Sequence, residues 1–566
     1  MNAETQYELW LKKAEGDVLE ELRDLGGDRK EIERRFGTEQ KFGTAGIRCV
    51  MGAGSSLLNE YTVRRVARGL ARYMLTGGVA ASCAIGYDCR EHSADFARIC
   101  AAALAAEGIH VYLYDRLAPT PMLSFAVRQL HCGAGIVISA SHNTKEYNGI
   151  KCYGPDGCQM TEIPAAAVCE AMAEIDLFQP QTVSFETLLS EGKIEYIAPA
   201  VWEAYYEAVL AQGVQTELVK KAGLRVVYSP LCGAGGEPVT EILHRLGAEV
   251  FTPEAQKEPS GDFPTCPNPN PENEAAFEEN YRLAETAEPD IILATDPDSD
   301  RIACALRGEQ GFVKLTGNET GCLLLDYLCK AMAAKGTLPR RPVTVMSIVS
   351  SPMAAKIAES RGCDVRITPT GFKYIGATIL ELEAENRPQD FLMGFEESCG
   401  YLKGTYCRDK DGVLAAMLIA EMASYYKLQG KTLLTVLKEL YDACGYTLCT
   451  LQNIVFTTPE IRQRCAAKLD ELRTCPPKTV GGRTVLAATD FASGIRTELA
   501  SGTRETLDFP KETMLRLELE GGDRIILRPS GTEPKMKIYY TAVGNDAADA
   551  KATADALRSG MTAWLG

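Results

Sequence analysis

The sequence predicts an α/β protein built of three similar mixed-sheet domains followed by a C-terminal α+β domain. Three observations carry this. Short β-branched runs alternate with helical segments from residue 83 onward; the same order of elements restarts twice; and beyond about residue 450 strand-period sequence takes over. At 566 residues the chain exceeds one core, and about 100–200 residues per domain gives about three to five domains.

Residues 1–40 read as helices that cap or precede the first domain, and Val63, Val66, Leu70, Tyr73 and Met74 mark one face of a longer helix. CAIGYD (83–88), the alanine-rich ARICAAALAAEG (97–108), IHVYLYD (109–115) and GIVIS (135–139) then alternate strand, helix, strand, strand. LRVVYSP (224–230), helices near 237–247 and 273–287, and PDIILATD (289–296) form a second unit. VTVMSIV (343–349), a helix after Pro352, CDVRITP (363–369) and FLMGFEE (391–397) form a third. The long apolar helix DGVLAAMLIAEMASYY leads to a candidate linker at 430–455. MLRLELEGGDRIILRPS then reads as a hairpin around Gly521 and Gly522, followed by KMKIYYTAV and a closing helix. The expected domains are 1–195, 196–310, 311–440 and 441–566.

Composition limits the partners. The 46% apolar and 24% charged content is that of a soluble globular protein, and no run approaches the roughly 18 apolar residues of a membrane helix. The opening MNAETQYELWLKKAEGD is polar and amphipathic rather than a signal peptide, so a cytoplasmic location without membrane association is expected. Twenty cysteines contain no C-x2-C pair, which excludes a zinc ribbon or dithiol motif and leaves reduced, mostly core-filling thiols. A net charge of −16 opposes nucleic-acid binding, so an anionic ligand needs a local basic pocket.

Several loops carry the chemistry. In GIVISASHNTKEYNGIKCYGPDG (135–157) a buried strand ends at Ser139, which places Ser141 at a sheet edge with His142, Asn143 and Lys151 nearby. In TDPDSDR, Asp296, Asp298 and Asp300 follow an apolar strand, and such crowded hard oxygens suit Mg²⁺. A helix-loop-helix calcium site is excluded because its sixth and twelfth positions are Arg301 and Arg307; Asp296 as a phosphate-attacking nucleophile stays open. GFEESCGY (394–401) suits sugar hydroxyls, TPTGFKYIG (368–376) adds Lys373, and Arg408 to Asp411 pack charge before a helix. RPSGTEPKMK (528–537) has the composition of a phosphate nest, with Ser530, Gly531 and Thr532 among Arg528, Lys535 and Lys537, and KFGTAGIR (41–48) adds Arg48. Taken singly, the serine, GFEES, TPTGFKYIG and Arg408–Asp411 loops read as readily as solvated turns; RPSGTEPKMK is a stronger signal, and a solvated acidic turn rarely follows a strand as apolar as the one before Asp296.

As an ordered set, SASHNTKEYNGIK, DPDSDR, GFEES with RDKDG, and RPSGTEPK resemble the α-D-phosphohexomutase superfamily. KFGTAGIR, GYDCREHSADF, APTPM, YSPLCGAGG and TPTGFKYIG extend the likeness from about residue 40 to about 540, nearest the long phosphoglucomutase and phosphopentomutase branch of the phosphoglucomutase/phosphomannomutase family. The loop reads SASHNT where the family commonly has SHNP, so Thr144 stands in place of a proline.

The resemblance implies four domains around a central cleft and an isomerase that moves a phosphoryl group within a hexose phosphate. It implies phosphoserine at Ser141 and one Mg²⁺ per chain on Asp296, Asp298, Asp300 and an oxygen of phosphorylated Ser141. Lys410 is the implied acid/base, with a pKa lowered by partial desolvation, and Arg48, His142, Lys151 and Arg301 line the reaction centre. Thr370, Gly371, Lys373, Glu396, Ser398 and Arg408 are implied on the sugar side, and Arg528, Ser530, Gly531 and Thr532 on the distal phosphate. A hexose 1,6-bisphosphate is the implied intermediate and activator, sugar phosphates the only implied partners, and a monomer or weak homo-oligomer the implied state. Glucose is the first expected sugar, with pentose, mannose or N-acetylglucosamine phosphates differing at the sugar loop; an Asp-nucleophile phosphatase and a non-catalytic sugar-phosphate sensor are the readings from other classes.

Overall fold

The computed structural model describes residues 2–38, 46–456, 458–530 and 535–565. Its first three sheets share one device. In each, a fully buried strand with a parallel neighbour turns back directly into an antiparallel strand: Ala134–Ile138 into Tyr147–Tyr153, Ile291–Thr295 into Ile302–Gly308, and Phe391–Glu396 into Gly400–Leu402. The three connections are the serine loop, the triple-aspartate loop and the GFEES loop. Each holds one non-glycine residue in left-handed backbone: Ser141 at φ 53°, Ser299 at 53° and Cys399 at 63°. This is the repeat that the residue identities conceal.

The first sheet runs Gly46–Val50, Tyr147–Tyr153, Ala134–Ile138, Ser82–Tyr87, His110–Leu113, Ile194–Tyr196. The second runs Gly311–Lys314, Ile302–Gly308, Ile291–Thr295, Arg225–Ser229, Glu249–Phe251, and the third Asp364–Thr368, Val343–Ser347, Phe391–Glu396, Gly400–Leu402. The fourth domain is an antiparallel sheet that includes the expected hairpin, Leu515–Leu519 with Arg524–Pro529, and packs helices Pro459–Thr474 and Ala547–Leu565.

Three expected boundaries need correction. Strand Ile194–Tyr196 crosses position 195, and Gly311–Lys314 pairs with Ile302–Gly308, so the cut at 310 falls inside a hairpin. Residues 430–455 are not a linker. They form helix Leu433–Cys444, which buries Leu433, Val436, Leu437 and Leu440, and the ten-residue strand Tyr446–Val455.

The N-terminal helices Ala3–Lys13, Gly16–Asp24 and Arg29–Phe36 pack on the first domain through Trp10, whose ring lies 5.4 Å from Tyr61 and 5.3 Å from Phe178. Helix Glu60–Gly77 buries Val63, Val66, Leu70 and Met74 as its periodicity predicts. No described helix is long and apolar enough to cross a membrane.

The core is shared between domains. One apolar cluster continues from the first sheet through the second and third, and helix Gly412–Lys427 runs within it with every residue from Gly412 to Ser424 buried. That explains why this helix has no polar face. Asp411 caps it, accepting from the Val413 and Leu414 N–H groups at 2.8 and 2.9 Å and from the Tyr205 hydroxyl at 2.8 Å. Gly412 is required by contact: its N–H donates to the Ser299 carbonyl at 3.0 Å, and a Cβ there would lie 2.6 Å from that oxygen. The helix start is thereby locked against the triple-aspartate loop. The fourth domain has its own core around Leu517, Ile525 and Leu557 and meets the third through a small patch of Ile348 and Val349 against Phe491, Met514, Ile526 and Tyr539.

Leu414→Ala is expected to destabilise the protein by about 2–5 kcal/mol, because the cavity it leaves lies in the shared core. Calorimetry should show the first three domains shifting together while the fourth keeps its own transition.

Candidate functional site

The Ala134–Ile138 strand delivers Ser139 and Ser141 to the carboxyl edge of the first sheet, both buried. Ser139 Oγ accepts the Ser141 N–H at 2.8 Å and donates to Asp298 Oδ2 at 3.0 Å. Ser141 Oγ donates to Asp296 Oδ2 at 2.6 Å and lies 3.2 Å from His142 Nδ1. Burial, with Arg301, Arg48 and Lys537 around it, pushes the His142 imidazole well below its ordinary pKa, so it is neutral near pH 7.

Asp296, Asp298 and Asp300 are buried and bring one carboxylate oxygen each within 4.8 Å of the others. Asp296 Oδ1 accepts the Arg301 N–H at 3.0 Å. Asp298 Oδ2 accepts from Lys151 Nζ at 2.6 Å and Thr120 Oγ1 at 2.9 Å, while Asp300 Oδ2 faces Lys410 Nζ at 3.0 Å and Lys151 Nζ at 3.5 Å. The other oxygens of Asp298 and Asp300 are buried without a hydrogen-bond partner. Two open carboxylate oxygens in an all-oxygen set fit a Mg²⁺ ion. Burial beside Asp298 and Asp300 pushes the Asp296 carboxyl well up, a shift that a divalent cation reverses. Burial also raises Asp298, but the Lys151 ammonium outweighs it and holds that carboxyl down. Ser141 Oγ and the Arg301 N–H each engage one oxygen of Asp296.

Lys410 corrects an expectation. Burial draws its ammonium down, but Asp300, Asp409 and Glu396 more than reverse this, so its pKa lies above the ordinary lysine value rather than below it. It rests charged.

A cavity of about 680 Å³ opens beside these groups between all four domains. Arg48, His142 and Arg301 line one side, Thr370, Lys373 and Ser398 another, and Arg528, Ser530, Lys535 and Lys537 the fourth-domain wall. Glu397 also lines it, raised to about 7 by burial next to Glu396, whereas Glu396 Oε1 accepts the Gly371 N–H at 2.6 Å and so ties the GFEES loop to the TPTGFKYIG loop. Lys373 is ion-paired with Glu162 of the first domain, and the Tyr374 hydroxyl donates to Glu162 at 3.0 Å and to Glu512 of the fourth domain at 3.2 Å. Gly531 and Thr532 lie outside the described residues.

Arg408 is not brought to the cavity. Its side chain is fully buried and bonded to Glu383 and to the Thr405 and Cys407 carbonyls, so it braces the RDKDG loop from within and is not a ligand-binding group. Other site residues escaped the sequence reading. Thr120 in APTPM and Arg90 in GYDCREHSADF lie in motifs noted only for their likeness, and Glu272, which holds Arg301 at 2.6 Å, follows a proline- and asparagine-rich stretch with no chemical signature.

Comparison with known proteins agrees with this domain order. Family models for phosphoglucomutase/phosphomannomutase alpha/beta/alpha domains I, II and III match residues 39–179, 203–309 and 316–444 in that order. Phosphoglucomutase of Staphylococcus aureus strain MRSA252 is 35% identical over 541 residues, covering 94% of this chain and 95% of the relative. A phosphomannomutase-type protein of Thermus thermophilus shares the fold at TM-score 0.69 and 24% identity, covering 93% of this chain and 99% of that one. Parafusin, a Paramecium phosphoglucomutase in its open form, shares it at TM-score 0.64 and 17% identity, covering 93% and 95%.

Mg²⁺ at about 100 times its Kd is expected to stabilise the protein by about 2.7 kcal/mol, read as a rise in Tm. In Asp298→Asn the rise should vanish at the same Mg²⁺ concentration; an unchanged rise would place the ion elsewhere.

Proposed function

The chain belongs to the phosphoglucomutase/phosphomannomutase family, and on that premise we propose that it interconverts glucose 1-phosphate and glucose 6-phosphate through phosphoserine at Ser141. It is a phosphohexomutase. The observation that carries the reading is the contact of Ser141 Oγ with a buried three-carboxylate set that retains two open oxygens.

Phosphoryl transfer requires in-line placement and neutralised charge more than covalent chemistry. Phospho-Ser141 meets the C6 hydroxyl of glucose 1-phosphate: the bond from phosphorus to Oγ breaks as the new bond to the sugar oxygen forms. Lys410 gives its proton to the departing serine oxygen, which its charged resting state suits, and the neutral amine so formed takes the proton of the attacking hydroxyl. Bound at Asp296, Asp298, Asp300 and an oxygen of phosphorylated Ser141, one Mg²⁺ would neutralise charge on the transferring group. Arg48, Arg301 and Lys151 supply further positive charge, and His142, neutral, supplies hydrogen bonding. The product, glucose 1,6-bisphosphate, turns round within the cavity, and Ser141 takes back the phosphate from C1. Arg528, Ser530 and Lys537 hold the phosphate that is not being transferred, and Ser398, Glu397 and Thr370 meet the sugar hydroxyls. The same reading has the enzyme act on freely diffusing sugar phosphates in the cytoplasm.

The test is a panel of glucose, mannose, glucosamine and ribose 1-phosphates with Mg²⁺ and a bisphosphate activator. Glucose 1-phosphate is expected to give the highest kcat/KM, and Ser141→Ala to lower it at least about 10⁴-fold. A better sugar in the panel overturns the choice of glucose; full activity of Ser141→Ala overturns the phosphoserine.

A further inference from the structure

We propose that Arg90 is a positioning residue for phosphoryl transfer, holding the Ser141 loop in the backbone shape that aims Oγ at Asp296; this rests on the mutase reading. Arg90 is buried just beyond strand Ser82–Tyr87. Its Nη2 donates to the Ser141 and Asn143 carbonyls, both at 2.5 Å, and its Nη1 to the Thr144 and Tyr147 carbonyls at 2.9 and 3.0 Å. Four carbonyls of one loop thus converge on one guanidinium.

The loop needs such a centre. It leaves the sheet after Ser139, and its own backbone closes only two turns, Asn143 N–H to the Ala140 carbonyl at 3.2 Å and Tyr147 N–H to the Thr144 carbonyl at 3.1 Å. Ser141 sits at φ 53°, a conformation a non-glycine residue keeps only where its surroundings over-determine it. The Ser141 carbonyl is buried and the other three are partly withdrawn from water, so they too need donors. A planar guanidinium can meet four at fixed angles, whereas an ammonium offers three donors from a point.

The guanidinium is itself caged. Its Nε lies 3.3 Å from Asp88 Oδ2, and Asp88 Oδ1 accepts the Arg90 N–H at 3.0 Å and the Ser93 hydroxyl at 2.8 Å. Its far face lies 5.0 Å from the ring of Phe263 in the second domain. Phe263 has φ 46°, a backbone outlier for a bulky side chain. The cage therefore spans the two domains whose loops bring Ser141 and Asp296 together.

The test compares the full-length parent with Arg90→Lys and Asp88→Asn, measuring kcat and KM for glucose 1-phosphate, Mg²⁺ affinity by calorimetry, and Ser141 phosphorylation by glucose 1,6-bisphosphate. Arg90→Lys is expected to lower kcat about 100-fold, as a misplacement near 1 Å does, with KM and Mg²⁺ affinity within about threefold of the parent. Asp88→Asn, which keeps the donors but loosens their anchor, should lower kcat about tenfold in the same pattern, and decides the matter if Arg90→Lys does not fold. The proposal is overturned by a kcat within about threefold of the parent, or by kcat, KM and Mg²⁺ affinity all deteriorating together, the mark of general structural loss. An inactive, unphosphorylated parent sinks the mutase reading and this proposal with it; an active parent with unaffected variants sinks this proposal alone.

Discussion

Three carboxylates buried within 4.8 Å of one another are the constraint around which the molecule is arranged. Two like charges about 4 Å apart at an effective dielectric constant of about 20 repel by about 4 kcal/mol, so a trio survives only where cations gather. Lys151 comes from the first domain, Lys410 from the start of the shared central helix, and Arg301 from the loop itself. Hydroxyls of Ser139 and Thr120 complete the ring around Asp298. Even the helix start obeys this arrangement, since Gly412 packs on the Ser299 carbonyl and so places Lys410 against Asp300.

The scaffold holds three of the site loops rigidly and the fourth differently. The serine, aspartate and GFEES loops leave equivalent strands of three sheets whose cores are continuous, so their relative positions are fixed by packing. The fourth domain has a separate core and, among the described residues, meets the others through a small apolar patch, the stacked Tyr441 and Tyr446 rings and polar contacts such as Tyr374 to Glu512. Its wall of the cavity is thus less firmly tied to the shared core than the loops it faces.

Much of this was legible because a buried strand followed by a polar, hydroxyl-rich turn is a strong local pattern. The place of Ser141 at a sheet edge and the aspartate cluster follow from it, while the order of the modules follows from the recurring alternation of strand and helix. The antiparallel partners were not legible: Tyr147–Tyr153 carries Lys151 and two polar residues at its start, and Gly400–Leu402 is three residues long. Gly311–Lys314 lay beyond the expected boundary for the same reason, since only its pairing assigns it to the second sheet. Arg408 resembled a pocket cation by sequence position, yet Glu383, 25 residues away, neutralises it inside the protein. The raised pKa of Lys410 likewise depends on Asp300, brought near by folding rather than by sequence. Glu396 and Glu397 differ by one position, and only the fold tells which faces the cavity.

The most direct measurement is a single turnover with glucose 1,6-bisphosphate labelled in its phosphates. Label should pass to Ser141, resist hydroxylamine, and leave again as bisphosphate on addition of glucose 1-phosphate or glucose 6-phosphate. Label released by hydroxylamine, and so held as an acyl phosphate at an aspartate, or label that appears only as inorganic phosphate, would contradict the account.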